Sequence, residues 1–119
     1  MAGDQSQAEL AERRCRPCEG GVEPLGGEAV AELMRALDPA WTLAENGRSI
    51  VREFSFPAFS WTIAFANAVA WVATTEGHHP EMLVTYGTCR VRYTTNAIGG
   101  LSDNDFICAA KVDRLAAEA

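Results

Sequence analysis

Between Phe54 and Thr75 the chain runs for 22 residues without a charged side chain, and that stretch limits the fold more than any other feature. On length alone it could span a bilayer. It contains Pro57, Ser60, Thr62, Asn67, Thr74 and Thr75 and leans on alanine, so its transfer free energy is too small for a membrane span. A helix from about Pro57 to Glu76, buried on more than one side between a sheet and a partner subunit, accounts for the same composition. Pro57 suits its first turn and Gly77 its end. Trp61, Phe65, Val69 and Val72, together with Trp71, fall at core-like spacings, which reads as packing within the subunit or against a second one.

Local patterns place the other elements around this helix. Gly27 can cap a first amphipathic helix in which Val30, Leu33, Met34 and Leu37 recur on one face until Asp38-Pro39 stops it. Trp41 to Ala44 and Ser49 to Phe56 flank Glu45-Asn46-Gly47-Arg48, and Asn-Gly between apolar runs signals a hairpin. Met82 to Tyr86 and Thr88 to Thr95 form a second pair of strands, the latter alternating Cys89, Val91 and Tyr93 with Arg90, Arg92 and Thr94. Ser102 and Asp105 have capping-box spacing at the start of a last helix, with Cys108, Val112 and Leu115 along one side. The order helix, hairpin, helix, hairpin, helix predicts an α+β fold: a four-stranded antiparallel sheet with helices packed on one face.

A chain of 119 residues suits one domain. Residues 1–24 are polar, lack sustained periodicity and carry Cys15-Arg-Pro-Cys18, so they read as a mobile or loosely docked segment ahead of a domain at 25–119. Sixteen acidic residues against ten basic ones leave no cationic footprint for nucleic acid or an anionic membrane. The opening MAGDQSQAELAERR has charges where a signal peptide needs an apolar core, which predicts a cytosolic protein with reduced thiols. Cys15 and Cys18 are weak candidates for zinc, because a structural site needs four ligands and no second C-x-x-C is present. No metal is expected.

The chain's two histidines are adjacent, His78-His79, just past a predicted helix C-terminus that favours an imidazolium. They are candidate acid/base groups; the plainer alternative is a surface turn. With Pro80 and the later run Thr95-Asn96-Ala97-Ile98-Gly99-Gly100-Leu101-Ser102-Asp103-Asn104-Asp105, the pair resembles the pterin-4a-carbinolamine dehydratases. The likeness covers Leu25 to the end, and the N-terminal Cys15-x-x-Cys18 also resembles a segment of bacterial members.

That resemblance implies the fold derived above, assembled as a homodimer or homotetramer. It implies loss of water from a 4a-hydroxytetrahydropterin, which is substrate rather than cofactor, with no cofactor required. His78 and Asp105 would be catalytic, His79 catalytic and substrate-placing, and Pro80, Thr95 and Asn96 would help bind substrate. Asn96 stands where the family has a third histidine, and an amide cannot exchange a proton near neutral pH. The loss of one acid/base group is worth about 10²–10⁴-fold in rate. Thr74 and Met82 also depart from the family pattern, although Glu76 is close to the former. The altered run is similar to dehydratase-like RuBisCO assembly factors of α-carboxysomes, which implies a non-catalytic chaperone that binds RuBisCO subunits and associates with the carboxysome. Two expectations therefore stand together: such an assembly factor, or an active, slow dehydratase. A weaker third, from animal relatives, is stabilisation of a transcription-factor dimer.

Overall fold

The computed structural model describes residues 6–17 and 20–118. Its sheet has four antiparallel strands in the order β1-β2-β4-β3: β1 Thr42–Ala44, β2 Ser49–Ser55, β3 Glu81–Val84 and β4 Thr88–Tyr93. Register sets Ile50 opposite Tyr93, Arg52 opposite Val91 and Phe54 opposite Cys89. Ile50, Phe54, Cys89, Val91 and Tyr93 are buried and form the inner face, while Glu53 and Leu83 are exposed. The alternation in β4 is therefore a division between core and water. Between β1 and β2 the chain reverses through Glu45, Asn46 and Gly47, all at positive φ, the backbone region that Asn-Gly predicts.

Helices α2 (Gly27–Ala36), α3 (Phe59–Glu76) and α4 (Asp103–Glu118) occupy the expected positions. Gly26 rather than Gly27 is the N-cap of α2. Pro57 lies ahead of α3, whose cap is Ala58, and Gly77 ends the helix in the left-handed conformation at φ 69°. Phe106 to Ala110 and Val112 of α4 are fully or almost fully buried, so α4 is the central helix of the core. Arg52 reaches from the inner sheet face to Asp113 of α4 at 2.7 Å, and Trp41 Nε1 donates to the same carboxylate at 2.7 Å. No helix among the described residues is long and apolar enough to cross a membrane.

One feature differs from the sequence reading. Gln7–Glu12 forms a further helix, α1, with a capping box from Ser6 and Glu9. Leu10 is fully buried and Ala11 nearly so, and Lys111 of α4 donates to the Ala11 carbonyl at 2.6 Å. Loose docking thus gives way, for the described part of the segment, to a helix seated on α4. One turn and a half is too short for hydrophobic periodicity to register. Within the single chain α3 is covered on one side: Thr62, Phe65, Ala66, Val69 and Ala73 face the core, whereas Phe59, Trp61, Ile63 and Trp71 are 37–68% exposed on the side where the expected partner subunit would pack.

Candidate active site

Three segments converge at one end of the sheet. Gly77 turns α3 into His78 and His79, β4 runs out into Thr95, and a short 3-10 helix, Asn96–Ile98, leads to α4. Thr95 and Gly100 bridge in antiparallel fashion, closing this loop on itself. Gly100 has no room for a side chain, because a Cβ there would lie 2.8 Å from Pro24 Cβ.

His78 is buried, with Nε2 2.6 Å from Asp105 Oδ1. Asp105 is fully buried, and its other oxygen accepts from Thr95 Oγ1 at 2.8 Å and from the Ser102 amide at 3.0 Å. A carboxylate only accepts hydrogen bonds, so His78 Nε2 carries the hydrogen and Nδ1 is the nitrogen able to exchange a proton. Asp105 therefore does both things its position allowed, serving the first turn of α4 as the capping pattern predicts and orienting an imidazole. The Ser102 hydroxyl is 2.7 Å from Thr95 Oγ1, which ties the cap into the same network.

Beneath His78 lies Tyr93, with ring planes 9° apart and centroids 6.0 Å apart. Burial, followed by the neighbouring Cys108, Cys15, Asp105 and Cys89 side chains, pushes the Tyr93 phenol well above its ordinary range, so it stays neutral. Sequence reasoning placed Tyr93 in the core without foreseeing this contact; its inward position in β4 was the available signal.

The cleft above has a volume of about 310 Å³ and is lined by His78, His79, Thr95, Asn96, Arg16 and Asn104 among others. Of the candidate residues, His78, His79, Thr95 and Asn96 thus meet at one cleft, and Asp105 supports it from below. His79 and Asn96 are exposed at the surface. Pro80 does not line the cleft; it is half-buried and leads into β3. Glu76 points away from the cleft, where it accepts from the Cys15 amide at 2.8 Å and pairs with Arg14 at 3.0 Å. Cys15 Sγ lies 3.5 Å from Cys108 Sγ, and Cys18 falls outside the described residues. Among the described residues no three His, Cys, Asp or Glu side chains gather as metal ligands. Arg16 and Asn104 are cleft residues that sequence reading missed.

The sequence pattern of the pterin 4 alpha carbinolamine dehydratase family matches residues 23–115. The chain belongs to this family. A provisionally named pterin-4-alpha-carbinolamine dehydratase of Nitrosomonas eutropha is 59% identical over 107 residues, covering 90% of this chain and 93% of its own. A relative of the same provisional name from Dechloromonas aromatica is 50% identical, over 89% and 92% of the two chains. Among solved structures, a transcriptional coactivator/pterin dehydratase from Brucella melitensis superposes with a TM-score of 0.74 at 30% identity, over 79% of this chain and 99% of its own. A pterin dehydratase-like RuBisCO assembly factor of the α-carboxysome superposes with a TM-score of 0.57 at 22% identity, over 65% and 89%; that likeness is one of fold.

Proposed function

We propose that this pterin dehydratase family member dehydrates a 4a-hydroxytetrahydropterin, with His78 as the principal acid/base group. The observation that carries this reading is the buried His78–Asp105 pair at 2.6 Å opening onto a polar cleft. Water loss requires a proton for the departing 4a-hydroxyl and removal of a proton from N5. His78 Nδ1 can perform one transfer and exposed His79, or solvent, the other. Asn96 can hold the ring by donating and accepting hydrogen bonds but moves no proton. The reaction is therefore expected to be slow for such a site.

Dehydratase names at 50–59% identity support this order of preference. The non-catalytic alternative, a chaperone for RuBisCO subunits at the carboxysome, is supported by Asn96 and by a fold likeness at 22% identity. The uncovered face of α3 supports a homo-oligomer in either case.

The deciding experiment is the dehydration rate of purified protein beside Asn96→His. Wild-type turnover above the spontaneous rate, raised about 10²-fold or more by the added imidazole, supports the proposal. Activity in neither protein would abandon it and send the search to RuBisCO co-purification and co-expression.

A further inference from the structure

We propose that Arg16 is a substrate-positioning residue of this cleft, so that the segment 13–17 is part of the site although it lies outside the matched family region at 23–115. This rests on the pterin reading of the cleft. Nothing in the histidine motif or the Thr95–Asp105 loop assigns a role to that segment.

The segment is pinned at several independent points. The Cys15 amide and the Arg14 guanidinium both bind Glu76, and Cys15 Sγ meets Cys108 Sγ. Residue 16 itself is held twice by one side chain: its amide donates to Asn104 Oδ1 at 3.0 Å, and Asn104 Nδ2 donates to its carbonyl at 2.6 Å. Asn104 is only 6% exposed, so a nearly buried amide clasps the backbone of an exposed arginine. The clasp fixes where the Arg16 side chain starts, and Arg16 lines the cleft together with His78, His79 and Asn96.

A guanidinium stays protonated at all working pH values and cannot serve as acid or base. What it offers is a rigid planar fork of donors. A pterin presents a partner for those donors in the ring edge that carries its carbonyl oxygen, an acceptor. Binding that edge would hold the 4a carbon and N5 within reach of the imidazoles.

Arg16→Ala removes the guanidinium and leaves the backbone clasp in place, which separates positioning from a merely structural role. The readouts are equilibrium binding of 7,8-dihydrobiopterin, followed by its fluorescence, and the kcat and KM of dehydration. Arg16→Ala is expected to weaken binding and raise KM about tenfold to hundredfold, the range for losing charged hydrogen bonds. Because the guanidinium orients the reacting atoms, kcat should fall as well, while the variant's melting temperature stays near wild type and Arg16→Lys restores part of the affinity. Wild type and Arg16→Ala binding the pterin within twofold of each other would overturn the role of Arg16 and leave the dehydratase reading standing. No pterin binding by wild type would remove both.

Discussion

Asp105 receives hydrogen bonds from three places, the His78 ring, the Thr95 hydroxyl and the Ser102 amide, and only the first concerns proton transfer. Asp105→Asn keeps the shape but loses the acceptor that fixes the His78 tautomer. Dehydration kcat is expected to fall about 10²-fold or more with a smaller change in KM, alongside a stability loss of ~1–3 kcal/mol for the disturbed buried network. Steady-state kinetics with a urea melt checks both. An unchanged kcat in a folded variant would reduce Asp105 to a capping residue. At this scale two short motifs singled out His78, His79, Thr95, Asn96 and Asp105, the first four of which line one cleft. The sequence was silent on Arg16, Asn104 and Tyr93, whose roles depend on neighbours 15 to 88 positions away.

At the scale of elements, the stretch that follows α1 is tied to the end of α3 through Glu76, which binds the Cys15 amide and the Arg14 guanidinium. Burial pulls the Glu76 carboxyl upward, but the Cys15 amide, Lys111 and Arg14 outweigh it and hold the group below its ordinary value of 4.5. A carboxyl with a depressed folded-state value binds fewer protons folded than unfolded. Its stabilising contribution is thus present above about pH 4.5 and disappears as pH falls through the folded value. Acidification is expected to release the contacts of Arg14 and Cys15. Glu76→Gln should flatten the dependence of stability on pH between about 5 and 3, measured by denaturant melts across that range; parallel curves for the two proteins would contradict this. The remaining elements were legible because α2, α3, β4 and α4 each carry a period, a cap or a turn signal. Helix α1 was not, because its stability comes from docking Leu10 against α4 and not from a long pattern.

For the whole molecule, the outer face of α3 is the open question of assembly. Trp61 and Trp71 are 59% and 68% exposed, and Phe59 and Ile63 of the same helix are 47% and 37% exposed; a protein surface seldom leaves so much apolar area in water. Light scattering after size-exclusion chromatography is expected to give a multiple of the 12.8 kDa chain mass, and Trp61→Glu with Trp71→Glu should lower it. A monomer at about 100 µM, far above the micromolar dissociation constants of weak interfaces, would count against this assembly. By itself the sequence determined the α+β class, the order of its main elements and which loop carries the histidines, since periodicity, turn chemistry and motifs act between near neighbours. Only the tertiary structure decided that Asp105 serves His78, that Glu76 anchors the N-terminal segment instead of the cleft, and that Arg16 completes the wall. Those outcomes turn on which side chains meet when distant segments pack, and burial and hydrogen-bond satisfaction settle that in three dimensions.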